Sequence, residues 1–367
     1  MRLVHLSDIH LSEDNYTEFQ NEYKKSLIKD LLFYHKDIPI DLIIITGDLV
    51  DKGGHSLFKI IEFKDYNSPY DIFEEVFINP ISQQLGIDKH KFLFIPGNHD
   101  VDEKEILLFE EKELIKNIDK KNVNKYLLEN KLFKHSHRIR KFKEFEERYH
   151  SGNTNYLYSP NQSTYIYEEN DSKVGFILIN DSWRCKSVKL RLEEEDDNKL
   201  YFGIQQLYDA VHFLDKNNTQ LNICLLHHTL ANYKETEEVE GILNRQNIEL
   251  FLHGHFHNTK TNILYTPHGN CKGFRARAAL FKPEEVDSEY HPGYQILDFD
   301  LITYKLTAVH YRKYNYKNYS KEFISDTDTA PDNGIDRNDS NNKKGFELPR
   351  VGRETKKLNL NIKDFKK

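Results

Sequence analysis

The sequence predicts an α/β fold, and two observations lead to it. Short apolar runs of strand length alternate with segments of helical period, and oxygen or imidazole donors recur just past those runs. Arg2 to Ser7 reads as the first strand, and Asp41 to Thr46 (DLIIIT) as a second one buried on both faces. Between them, Tyr16 to His35 places Phe19, Tyr23, Leu27, Leu31 and Leu32 along one side of a helix, which completes a strand–helix–strand unit. A helix over about Tyr70–Gln84 then leads to a strand over Lys91–Ile95.

Residues 103–151 are densely charged, with Phe142, Phe145 and Tyr149 at i, i+3 and i+7, and are expected to form a helical insertion. Its later half, Lys131–Arg148, carries seven Lys/Arg, either as a solvated face or as a positive surface for a phosphate-bearing ligand. Strands return at Ser163–Glu168 and Lys173–Asn180, joined by the turn Asn170-Asp171-Ser172. A helix over about Ile204–Phe213, a strand at Leu221–Leu226, a helix over about Glu237–Asn247 and a short strand ending at Leu252 follow. The last strands are expected near Thr261–Thr266, Arg275–Phe281, Tyr294–Phe299 and Tyr304–Tyr311. Residues 1–322 are thus read as one domain. Residues 323–367 are read as a polar linker, rich in Asp and Asn and with little to bury, followed by a basic tail.

Composition narrows the function classes. With 367 residues, 38% apolar and 30% charged, the chain can bury one large core or two modest ones, which excludes a peptide hormone. Its net charge of −7 excludes nucleic-acid binding through bulk charge, so any anionic substrate must be held by a local site. No run approaches the roughly 18 apolar residues of a membrane span. Three cysteines at irregular spacing argue against a disulfide framework or a cysteine zinc site. The start, MRLVHLSDIH, reaches Asp and His before any apolar stretch of signal-peptide length, so a cytoplasmic location is expected.

Five segments carry the chemistry: Asp8-Ile9-His10, Gly47-Asp48, Gly97-Asn98-His99-Asp100, His227-His228 and Gly254-His255-Phe256-His257. Each stands where a strand should end, and loops at the carboxyl ends of strands in an α/β sheet converge on one crevice. Two residues apart on an extended segment, Asp8 and His10 project to one side, as do His255 and His257. Carboxylate, imidazole and amide donors without thiolate suit divalent Mn, Fe, Zn or Ni. Two such cations bridged by a carboxylate would clamp a phosphoryl group and turn a bridging water into hydroxide. His228, adjacent to a candidate ligand, is left out because neighbours on a strand point to opposite faces.

In this order, LSDIHLS, TGDLVDKG, PGNHD, LLHHTL and HGHFH resemble the motifs of the calcineurin-like metallophosphoesterase superfamily, and most of all its bacterial class III cyclic-nucleotide phosphodiesterase branch. The resemblance spans Asp8 to His257 and implies a four-layer αββα sandwich of two mixed sheets, with the active site at strand carboxyl ends. It further implies that Asp8, His10 and His257 hold one metal ion, that Asp48 bridges two, and that Asn98, His227 and His255 complete the second. His99 would protonate the leaving oxygen or steady transition-state charge, and Asp51 would orient it. Two departures stand out: Thr229 follows His227-His228 where Pro is frequent, and Lys52 replaces the Arg of the phosphoprotein-phosphatase branch. Lys52 offers a point charge instead of a bidentate fork, which argues against that branch.

The function expected is that of a dinuclear-metal phosphodiesterase acting on nucleotide-type diesters. A nuclease of the same superfamily, holding a strand with Lys131–Arg148, is the alternative. A scaffold that binds a protein through the insertion or the tail is a third reading, disfavoured because no ligand of the motif set is missing.

Overall fold

The computed structural model describes residues 1–185, 200–245, 248–256, 263–265, 271–280, 291–315 and 321–337. Fourteen strands among them pair into two mixed seven-stranded sheets. In the first, β1 (Arg2–Leu6), β2 (Leu42–Thr46) and β3 (Phe92–Ile95) run parallel. Next to β1, β11 (Gly293–Asp300), β12 (Lys305–Asn315) and β13 (Glu322–Ser325) continue it antiparallel, and β14 (Ile335–Arg337) pairs with β12. The second sheet runs β4 (Tyr156–Leu157), β5 (Ser163–Glu169), β6 (Ser172–Leu178), β7 (Leu221–Leu225), β8 (Ile248–His253), β10 (Lys272–Arg275) and β9 (Ile263–Tyr265). Its central four strands, β6, β7, β8 and β10, are parallel.

The side-chain alternation of β2 explains the layering. Leu42 and Ile44 join Leu3, Phe176, Leu225 and Leu252 in a core between the sheets. Ile43 and Ile45 turn to the other face and pack on Leu27, Leu31, Phe73 and Phe77. Leu27 and Leu31 lie on α2 (Lys24–Asp37), which a π turn joins to α1 (Glu13–Glu18); Phe73 ends α3 (Pro69–Phe73), and Phe77 lies on the π turn between α3 and α4 (Asn79–Leu85). Both faces of β2 are buried, so its sequence reads as an uninterrupted apolar run. On the far side of the second sheet, Ile177, Cys224 and Phe251 pack on Leu207 and Val211 from α8 (Gln205–Lys216) and Leu243 from α9 (Thr236–Arg245). Helix, sheet, sheet and helix make the expected four layers.

Residues 103–150 hold α5 (Leu108–Asn117), α6 (Val123–Leu128) and α7 (Arg140–Tyr149). The apolar stripe of α7 docks on the body, with Phe145 stacked on Tyr70 and Phe94 at 5.5 and 5.1 Å between ring centroids. Six of the seven cations from Lys131 to Arg148 are ion-paired. Lys134 reaches Glu129, Arg138 Glu111, Arg140 Glu105, Lys141 Asp102, Lys143 Glu146 and Arg148 Asp71. The run is therefore largely neutralised and is not the positive surface that composition allowed.

Two other expectations are corrected. Strand pairing continues past Glu322 to Arg337: Asp326 accepts from Arg277 at 2.5 Å, Ala330 is buried, and β14 adds its backbone to β12. A segment poor in apolar residues is kept on the sheet by backbone ladders and one buried ion pair, which hydrophobicity does not report. Residues 338–367, including the basic tail, lie outside the described residues. The strand expected at Arg275–Phe281 is instead Lys272–Arg275, because the chain beyond it leaves the ladder to cross the end of β1, where Ala279 N–H donates to Ser7 O at 2.7 Å.

Candidate metal centre

The loops that follow β1 and β2 are joined to each other. Asp8 N–H donates to Gly47 O at 3.0 Å, His10 N–H to Asp48 O at 2.8 Å, and Asp51 N–H returns to Leu11 O at 3.1 Å. Asp8, His10, Asp48 and His255 all have positive φ, between 49° and 74°, a left-handed conformation that non-glycine residues adopt rarely and that clusters at functional sites. Asp100 holds the next loop against them. Its carboxylate accepts from Gly97 N–H at 2.8 Å, Leu49 N–H at 3.2 Å and Val50 N–H at 3.3 Å. Burial and the Asp48 charge push the Asp100 carboxyl up to about 7 against those three donors.

Six of the seven expected ligands meet at the strand ends. Asp48 Oδ2 lies 3.5 Å from His10 Nε2 and 3.4 Å from His227 Nε2, and Asp8 Oδ1 lies 3.7 Å from His10 Nε2. Asn98 Oδ1 lies 3.0 Å from His227 Nε2 and 2.9 Å from His255 Nδ1. His257 lies outside the described residues. Asp8, His10, Asp48 and His227 are buried, while Asn98 and His255 reach the surface. Asp51 Oδ1 accepts from His99 Nδ1 at 2.6 Å, and the two side chains are 20% and 24% exposed at the mouth.

The donor set fits a cation. His227 Nδ1 stands 2.8 Å from Thr46 O, a pure acceptor, so this nitrogen carries the proton and Nε2 presents a lone pair to Asp48 and Asn98 oxygens. Acceptors so close are stable only around a cation or a proton. Burial opposes charge on His10, yet Asp48, Asp51 and Asp8 outweigh it and raise its pKa to about 9. On the same terms, Asp48, Asp8 and Asp181 raise His227 to about 10. Burial, then His228 and His227, depress His255 to about 3, leaving that imidazole neutral.

A pH dependence follows. In metal-free protein the two imidazolium ions stabilise the fold fully below the unfolded histidine pKa of about 6.5, and that contribution is lost as pH rises through about 9 to 10. A cation replaces those protons, so thermal melts in EDTA are expected to fall across this window. Mn²⁺ affinity is expected to rise across it, with measurable proton release. An affinity independent of pH would contradict the assignment.

Two participants escaped sequence reasoning. His227 and His228 lie beyond the end of β7, where strand alternation no longer applies, and both turn inward. The His228 ring is buried and centred 4.8 Å from that of His227 and 4.5 Å from that of His255. Asp181, fully buried after β6, gathers three donors on Oδ2: His227 N–H at 3.0 Å, His228 N–H at 2.8 Å and Tyr233 O–H at 2.5 Å. Its position just past the strand expected at Lys173–Asn180 was the available signal, the same one that marked Asp8 and Asp48. Asp181→Ala is expected to weaken Mn²⁺ binding about 10- to 100-fold in calorimetric titration, with Asp181→Asn restoring much of the loss. Equal affinity in all three proteins would remove Asp181 from this positioning role.

A family model for calcineurin-like phosphoesterases matches residues 1–259. The chain belongs to the calcineurin-like phosphoesterase family. The family normally uses a dinuclear divalent metal centre, and the clustered His and Asp side chains supply candidate ligands for one. The chain is 24% identical over 304 residues to the uncharacterized metallophosphoesterase-like protein YydB of Bacillus subtilis, covering 79% of this chain and 56% of that protein. It thus spans little more than half the length of this curated relative. Among solved structures, the NAD nucleotidase NadN of Haemophilus influenzae is similar at 13% identity and TM-score 0.40, over 89% of this chain and 53% of that one. The sulfate thiohydrolase SoxB of Thermus thermophilus is similar at 11% identity and TM-score 0.42, over 85% and 56%. Among the described residues, no helix is long and apolar enough to cross a membrane.

Proposed function

We propose that this family member is a phosphodiesterase acting on nucleotide-type diesters, in the manner of the class III cyclic-nucleotide branch that its motifs resemble. The observation that carries the proposal is the gathering of Asp8, His10, Asp48, Asn98, His227 and His255 beside the 2.6 Å His99–Asp51 pair. Asp8, His10 and His257 would hold one dication, Asn98, His227 and His255 the other, with Asp48 shared; Mn or Fe would suit this donor set best. Two dications so held would supply polarisation of a phosphoryl group and activation of water.

The chain's own groups do the rest. Asp51 accepts the Nδ1 proton of His99, which leaves Nε2 to exchange a proton with the departing oxygen. Asp51 also lies 3.6 Å from His10 Nδ1, so one carboxylate orients both rings. Lys52, 3.8 Å from Asp51, adds a single point charge at the mouth. Nearby Arg138 and Arg184 are both engaged by the buried Glu111.

The test is a substrate panel with Mn²⁺, comparing bis(p-nitrophenyl) phosphate, p-nitrophenyl phosphate, cyclic mononucleotides and single- and double-stranded DNA. Preference for the diesters is expected, and preference for the monoester would sink the assignment. Turnover of DNA with a steep salt dependence would favour the nuclease, for which the ion-paired insertion offers little surface.

A further inference from the structure

The exposed large aromatic residues among the described ones are Phe33 on α2, Phe109 on α5, Tyr208 on α8 and Phe256. Only the last adjoins the centre. Phe256 directly follows His255, its ring lying 5.3 Å from that imidazole, edge to face, and it is 37% exposed. Arg275 ends β10 beside β8, in register with His253, and its guanidinium lies 5.4 Å from the centre of the Phe256 ring. A phenyl ring held open to water beside so many polar groups gains nothing from the chemistry of the centre. Its neighbours fix its place: the chain turns at His255 with φ 74°, and the cation contact holds the ring. A partly exposed π surface with a guanidinium over it, in contact with an imidazole of the proposed phosphoester site, matches one ligand chemistry well. Nucleobases stack on both kinds of plane.

We propose that Phe256, backed by Arg275, is the platform on which the substrate's nucleobase stacks, so that nucleoside diesters are preferred to alkyl diesters. The proposal rests on the reading of the centre as a phosphodiesterase. Two substrates with a common leaving group isolate it: thymidine 5′-(p-nitrophenyl phosphate) and ethyl p-nitrophenyl phosphate, with the Mn²⁺-loaded full chain. The wild-type protein is expected to favour the nucleoside ester in kcat/KM. Phe256→Ala and Phe256→Leu are expected to reduce that preference on the order of tenfold or more, and Phe256→Trp to keep it.

A second readout needs no turnover. Calorimetry should show AMP binding more tightly than ribose 5-phosphate to the loaded wild-type protein, with that difference lost in Phe256→Leu and kept in Phe256→Trp. No nucleoside preference in the wild type, or a preference that Phe256→Leu leaves in place, would overturn the platform. If neither diester turns over, the phosphodiesterase reading fails, and the AMP and ribose 5-phosphate pair still decides the role of Phe256.

Discussion

Asp48→Asn is expected to lower turnover of bis(p-nitrophenyl) phosphate on the order of 10³-fold or more and to reduce bound Mn²⁺ per chain. Asp48 is fully buried and faces ligand atoms on two sides. Oδ2 lies within 3.5 Å of His10 and His227, and Oδ1 accepts from His99 N–H at 2.6 Å. Burial disfavours its charge, yet His227, His99 and His10 hold its pKa well below the usual carboxylate range. The amide keeps the size and removes the negative charge that two cations would share. Losing several kcal/mol of charge stabilisation corresponds to the stated fold at about 1.4 kcal/mol per decade. Metal analysis separates this cause from misfolding, since Asn can still accept from the His99 backbone. A variant that keeps two Mn²⁺ and full activity would show that Asp48 is not the shared ligand.

His99→Ala should behave differently, with metal content intact and turnover reduced about 10²- to 10⁴-fold. The His99 ring stands at the mouth, and its Nδ1 proton is already committed to Asp51. The two roles open to it give different leaving-group patterns. If Nε2 protonates the departing oxygen, the loss is large for an alkoxide and small for p-nitrophenolate, which leaves without a proton. If the imidazolium steadies charge on the phosphoryl oxygens, the loss is similar for both. Asp51→Asn should reproduce part of the effect by releasing the ring. Full activity of His99→Ala with both leaving groups would remove His99 from the mechanism.

Much of this molecule was legible because its signals are local. A strand buried on both faces reads as DLIIIT, a helix face reads as Phe19, Tyr23, Leu27 and Leu31, and a loop that aims donors past a strand reads as GNHD. Residue type and spacing carry those facts, and they sufficed for the layered fold and for most of the donors that meet at the strand ends. What failed to show depends on partners remote in the chain. Lys131–Arg148 looks cationic until Arg138 is seen on Glu111 and Arg148 on Asp71, pairs 27 and 77 residues apart. Asp326 and β14 belong to the first sheet through backbone hydrogen bonds and one ion pair, neither of which hydrophobicity registers.

By itself, then, the sequence determined the α/β architecture, the family and most of the donors that the strand ends bring together, because secondary-structure period and residue chemistry are properties of short segments. Only the tertiary structure decided which donors come within about 4 Å of one another, that His228 turns inward beside His227, that a buried Asp181 anchors both, and that Phe256 stays partly exposed beside His255. Distance, burial and charge neutralisation arise between segments, and so they exist only once the chain has folded.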